Sequence, residues 1–163
     1  MDSNLDSGRP RALETILQGG IAVAVLDIAN AMTFWWFYNG ASPEVILQSI
    51  AAGLLGPDAF SGGMPTALLG AFLHFFISCG IAAVFWFACQ RMPILFRRPV
   101  TYGAIYGVIV YLVMTYVVVP LSQATPVPFI PSWFLTSVLG HIVLVGIPVG
   151  LIARRSAACS QAS

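Results

Sequence analysis

Apolar residues run through this chain in four long blocks: residues 13–38, 66–90, 100–119 and 133–153. A helix crossing a bilayer needs about 20 mostly apolar residues at about 1.5 Å of rise each, and every block reaches that length. The blocks are too long for strands and do not alternate in polarity. Between the first two, Ser42-Pro43-Glu44 has the form of a helix start. It offers a capping hydroxyl, a proline at the first helical position and an acid near the positive end of the helix dipole. Ile46, Ile50 and Leu54 follow at helical spacing with Leu47, Ala51 and Leu55 beside them, and Gly56-Pro57 closes the segment. This pattern predicts an amphipathic helix over 42–55, as an anchor or as a lid over a site beneath it. The expected fold is an all-α membrane protein, with four transmembrane helices in a bundle and one amphipathic helix at the outer surface. Residues 1–12 and 154–163 form tails outside the 13–153 membrane domain. Asp58 to Gly63 reads as a connector or as a turn that contacts a ligand, and Pro65-Thr66 as the opening of the second span.

Composition agrees. Of 163 residues, 58% are hydrophobic and 8% charged, against about a quarter charged in a soluble domain. A net charge of +1 excludes a nucleic-acid partner and leaves the lipid bilayer as the expected one. The seven positive charges are all arginine and fall in alternate segments. Arg9 and Arg11 precede the first block, Arg91, Arg97 and Arg98 fill the second connection, and Arg154 and Arg155 follow the fourth. The positive-inside rule therefore puts both termini in the cytoplasm. Trp35, Trp36, Tyr38 and Trp133 mark the outer boundary, and Trp86 the inner one. Arg9-Pro10-Arg11, an apolar run and Ala29-Asn30-Ala31 also have the outline of a signal peptide. The apolar stretch continues past that point, however, and Asp27 interrupts it, so the first block reads as a span. Cys79, Cys89 and Cys159 show neither metal-ligand nor disulfide spacing.

Four polar side chains fall deep within the blocks: Asp27, Asn30, His74 and His141. An aspartate at mid-helix costs about 2.5–3.5 kcal/mol on insertion scales, so it should face other helices or water. Asn30, His74 and His141 each lie eight residues inward from Tyr38, Thr66 and Trp133, or about 12 Å below the outer boundary. Three helices are thus expected to bring polar groups to one level. Several chemistries fit that set. Asp27 and the histidines suit a proton or small-solute site, because an imidazole exchanges protons near neutrality. His74, His141 and Asp27 suit a divalent metal ion. His74 and His141 suit the two axial positions of a haem, with Gly70, Gly80, Gly140 and Gly146 making room for the porphyrin. The same four groups also suit a purely structural role, holding helices together.

Packing signals are present as well. Gly103-x-x-x-Gly107 and Gly146-x-x-x-Gly150 are small-residue stripes that let helices approach closely, within the chain or between subunits of a homo-oligomer or larger membrane complex. Pro148 predicts a kink, Pro120 the end of the third span, and Pro126, Pro128 and Pro131 a stiff third connection. Met32-Thr33-Phe34 and Met114-Thr115-Tyr116 form a faint internal echo. No phosphate loop, nucleophile elbow, His-Glu-x-x-His or acidic pair occurs, so no catalytic residue set supports an enzyme.

Val25-Leu26-Asp27-Ile28-Ala29, Ile50-Ala51-Ala52-Gly53-Leu54-Leu55-Gly56, Leu73-His74-Phe75 and Val119-Pro120-Leu121-Ser122 resemble a group of small bacterial inner-membrane proteins of unknown function. The resemblance covers most of the chain. It implies four helices in a bacterial inner membrane and carries no functional residues with it. Three classes of function stay open: small-solute or proton-linked transport, a structural or accessory subunit, and a haem or metal redox protein.

Overall fold

The computed structural model describes residues 9–126 and 128–161, and among them all regular structure is helical. Four helices are long and apolar enough to cross a membrane: Ala12–Asn39, Gly63–Arg91, Pro99–Leu121 and Pro131–Ser156. The first lies in α1 (Arg9–Asn39) and the second is α3 (Gly63–Arg91), with α2 (Pro43–Leu55) and a 3-10 turn (Gly56–Ser61) between them. A short α4 (Ile94–Arg97) leads to α5 (Pro99–Val113), which continues through a π-helical turn (Met114–Val118) into α6 (Val119–Leu121). The fourth span comprises α7 (Pro131–Gly140), a second π-helical turn (His141–Gly146) and α8 (Ile147–Gln161). Leu68, Phe72 and Phe76, one helical turn apart on α3, and Val84, two turns further on, are all at least 60% exposed. Such a continuous apolar stripe is foreign to a water-facing surface and suits lipid.

The spans pack in the order α3, α1, fourth span, α5, with α8 also touching α3. Val23, Phe85, Cys89, Val110, Val145, Val149 and Ala153 form the core where they meet. Thr15 Oγ1 donates to Ser156 Oγ at 2.6 Å, so the first span begins where the fourth ends. Arg91, Arg97, Arg98, Arg154 and Arg155 lie at this basic end, and α2 lies at the opposite, distal end.

Glycines decide how closely the helices approach. A Cβ placed on Gly103 would lie 2.6 Å from the Gly146 carbonyl oxygen, and one on Gly146 would lie 2.7 Å from the Gly107 amide nitrogen. Gly107 faces the His141 carbonyl and Gly150 the Pro99 carbonyl. The two stripes therefore face each other within the chain and put the third and fourth spans in backbone contact. Gly19 and Gly20 do the same for α1 against Ala82 and Cys79 of α3, a contact the sequence pattern did not signal. Where α3 and α5 diverge, Tyr106 bridges them. Its hydroxyl donates to the Ile81 carbonyl at 2.8 Å, and its ring sits 5.0 Å from that of Phe85. Tyr106→Phe should lower stability by about 1 kcal/mol. Thermal unfolding in detergent measures this, and an unchanged midpoint would mean that the bridge contributes nothing.

Ser42 caps α2 through a 3.4 Å bond from the Val45 amide to its hydroxyl, with Pro43 at the first position. The buried face differs from the expected one: Ile46, Gln48, Ala51 and Ala52 are inside, while Leu54 and Leu55 are exposed. The cause is a polar anchor. Gln48 Nε2 donates to the Gly63 carbonyl at 3.1 Å and to Thr66 Oγ1 at 3.4 Å, and Thr66 donates to the Ala59 carbonyl at 2.6 Å. Gly70 lets the Leu47 main chain rest directly on α3. Asp58 to Ser61 thus belong to a bonded 3-10 turn rather than a plain connector, and α3 starts at Gly63, ahead of Pro65.

Both π-helical turns end two residues before a proline, Pro120 and Pro148. In each, an amide bonds five residues back: Val119 to Met114 and Ile147 to Ile142. Proline supplies no N–H and its ring crowds the carbonyl one turn earlier, and a widened turn relieves that crowding. Pro120 accordingly sits inside the last helical turn of its span, which reaches Leu121.

Candidate functional site

On α1, Val23 is buried in the core, and Asp27, Asn30 and Thr33 follow it four, seven and ten residues on. That spacing puts all four on one face. Asn30 shows which helix this face meets: its amide lies 2.8 Å from where a Cβ on Gly140 would be, so it occupies the notch that Gly140 leaves in the fourth span. Asp27 is half-buried one turn deeper. Among the described residues, neither the Asp27 carboxylate nor the Asn30 amide has a hydrogen bond or ion pair.

The histidines behave differently. His74 Nε2 lies 3.1 Å from the Ala24 carbonyl oxygen, an acceptor, so that nitrogen carries the proton in the bond. His141 Nδ1 likewise donates to the Ser137 carbonyl at 2.8 Å, which leaves Nε2 without a hydrogen-bond partner among the described residues. The His141 ring packs edge-on against Tyr111, 5.5 Å between centroids. Neither imidazole bonds to Asp27 or Asn30.

The expected common level of the polar groups is not observed. The α1–α3 register, set where Gly19 and Gly20 meet Ala82 and Cys79, puts His74 opposite Ala24. Asn30 is opposite Gly140, next to His141. The two imidazoles therefore meet α1 at different levels, His74 at Ala24 and His141 beside the contact of Asn30 with Gly140, with Asp27 between those levels. Counting inward from presumed boundaries missed this, because close backbone contacts set the stagger between helices. The room expected for a porphyrin is also taken. Gly70 holds the Leu47 main chain, Gly140 the Asn30 amide and Gly146 the Gly103 main chain, and only Gly80 is open. Among the described residues, no three His, Cys, Asp or Glu side chains converge as a metal-ligand set, so His74, His141 and Asp27 do not meet around one ion.

Two features complete the site. Ser137 of α7, one turn before His141 and on the same face of the fourth span, is 5% exposed, and its Oγ has no partner. Its spacing of four from His141 was the available signal, but a serine in an apolar helix commonly bonds its own backbone, as Ser78 does to the His74 carbonyl at 2.8 Å. The second feature is a groove of about 430 Å³ between α1 and α7 at the distal end, lined by Thr33, Phe34, Phe37, Tyr38, Ser132 and Thr136. Phe34 and Trp35 pack on Trp133 beside it, at 4.8 and 5.2 Å between ring centroids. Its innermost residues, Thr33 and Thr136, are about one turn from Asn30 and Gly140. Thr33, which lines the groove, begins a stripe with Asn30 and Asp27, and none of the three side chains has a hydrogen-bond partner among the described residues. A small polar species or a proton carried by water has hydroxyl, amide and carboxylate groups in sequence along that stripe.

No protein-family model matches this chain, and neither a curated protein nor a solved structure matches it.

Proposed function

We propose that this chain is a small four-helix membrane bundle that passes a proton or a small polar solute along Asp27, Asn30 and Thr33, entered from the groove between α1 and α7. The observation that carries this reading is the unpartnered carboxylate of Asp27. Several polar groups in the spans are answered by protein, His74 by Ala24, Tyr106 by Ile81 and Ser78 by His74, whereas Asp27, Asn30 and Ser137 are not. A carboxylate at mid-span without such an answer needs water, a proton or a bound solute. Its position on the path from the groove supports the last three over simple packing. His141, one residue past Gly140 and with no hydrogen bond at Nε2, is a candidate proton partner. In this reading the membrane is a bacterial inner membrane, both termini are cytoplasmic and α2 covers the outer surface. The gathering of the described arginines at one end supports that orientation.

The test uses purified protein in sealed vesicles under an imposed pH or solute gradient, with a pH-sensitive dye inside. Asp27→Asn keeps the size of the side chain and removes its charge. It should reduce flux at least about tenfold, the size typical of losing a positioned proton carrier, while the protein remains folded. Flux equal to the parent's would sink the proposal.

A second reading, an accessory subunit whose polar groups only hold helices together, has one observation in its favour. Both histidines spend a ring nitrogen on a helix carbonyl. It requires Asp27 to be stabilising, which the Discussion turns into a measurement.

A further inference from the structure

The basic end gathers guanidinium groups that are far apart in sequence. Leu95 and Phe96 of α4 pack against the core cluster that contains Val149 and Ala153 of α8, and α4 also touches α3 and α5. Arg97 and Arg98 follow directly, at the joint between α4 and α5. Gly150 rests on the Pro99 carbonyl, so Arg154, four residues later on the same face of α8, comes one turn beyond that contact, beside the joint. Arg155 adjoins it, and Arg91 ends α3. All five side chains are exposed, and none has an ion pair or a side-chain hydrogen bond among the described residues. Among the described residues the acid at this end is Glu14, which accepts from Gln18 of its own helix at 3.0 Å. Folding has therefore brought like charges near one another, and among the described residues no acid pairs with them, an arrangement that repels itself unless an anion joins it.

The position of the patch says which anion. With four helices long enough to cross a membrane, side chains at their ends meet the headgroup layer, where phosphates are concentrated. Arginine's planar fork matches a phosphate with two parallel hydrogen bonds. We propose that Arg97, Arg98 and Arg154, with Arg155 and Arg91 at the rim, form a binding site for the phosphate of an anionic membrane phospholipid. Orientation by positive charge needs arginines only in the right connections. The structure adds their convergence across α4 and α8, which makes one site out of three segments.

The experiment is lipid binding to purified full-length protein in detergent, where the direction of insertion plays no part. Phosphatidylglycerol, phosphatidylcholine and inorganic phosphate are each titrated, with bound lipid counted by native mass spectrometry and the unfolding midpoint followed. Phosphatidylglycerol should remain bound and raise the midpoint, while phosphatidylcholine binds at least tenfold more weakly and inorganic phosphate gives no shift. Arg98→Gln with Arg154→Gln should weaken phosphatidylglycerol at least tenfold. The matching lysine pair should recover part of the loss, since it restores charge without the fork. Equal binding of the zwitterionic lipid, a full effect from inorganic phosphate alone, or undiminished phosphatidylglycerol binding by the folded glutamine pair would each overturn the proposal.

Discussion

Replacing Gly146 with leucine should leave little folded protein at temperatures where the parent is intact. A Cβ there would sit 2.7 Å from the Gly107 amide nitrogen and still closer to the Gly103 carbonyl oxygen. Both are main-chain atoms and cannot swing aside, so the third and fourth spans must separate along their whole contact. Inserting bulk into a packed core typically costs about 1–3 kcal/mol, and a clash with fixed backbone belongs at or above the upper limit. On the scale for chains of this length, about 3 kcal/mol lowers the unfolding midpoint by roughly 6–12 °C. Gly80→Ala is the matched control, because nothing lies within 4 Å of the added carbon. It should be neutral or slightly stabilising, since alanine is the better helix former. Thermal unfolding of both variants in one detergent checks the pair. Equal midpoints would mean that the glycine stripes do not hold the two spans in contact.

Asp27→Leu should raise stability and abolish flux at once. Among the described residues the Asp27 carboxylate has no hydrogen bond or ion pair to lose, and a charged carboxylate at mid-span costs about 2.5–3.5 kcal/mol on insertion scales. Exchanging it for leucine should therefore stabilise by about 2 kcal/mol, less than the full figure because the side chain is half-exposed and partly solvated. Gains of this kind are common where a functional group is kept at the expense of stability. The alternative in which Asp27 holds helices together has the opposite sign, because removing a stabilising polar contact lowers the midpoint. The direction of the shift in urea or heat, read on the same sample as the flux, separates a working site from a packing device.

Much of the architecture could be read from the sequence because it depends on local sums. Four apolar blocks of sufficient length imply four spanning helices wherever the rest of the chain goes, and the observed helices have that number and order. The arginine pattern and the Ser42-Pro43 helix start are local in the same sense. The polar residues of the spans stand out for the same reason, since each costs energy on its own account. Their mutual arrangement is another matter. Gly19 and Gly20 could be seen, but nothing in them names Ala82 and Cys79 as partners, and that pairing is what moves His74 to the level of Ala24. Gln48 lies off the apolar positions that mark this helix in the sequence, and its bonds to the Gly63 carbonyl and Thr66 are what turn it inward.

The number of spans, their order and the end to which the arginines belong were determined by the sequence alone, because hydropathy and charge act residue by residue along one helix. The partner of each glycine, the π-helical turns ahead of Pro120 and Pro148, the offset of the two histidines and the joining of Arg98 to Arg154 were decided only by tertiary structure. Those features depend on how two helices slide past each other, and the slide is settled by backbone contacts between residues distant in the chain, to which no single segment holds the key.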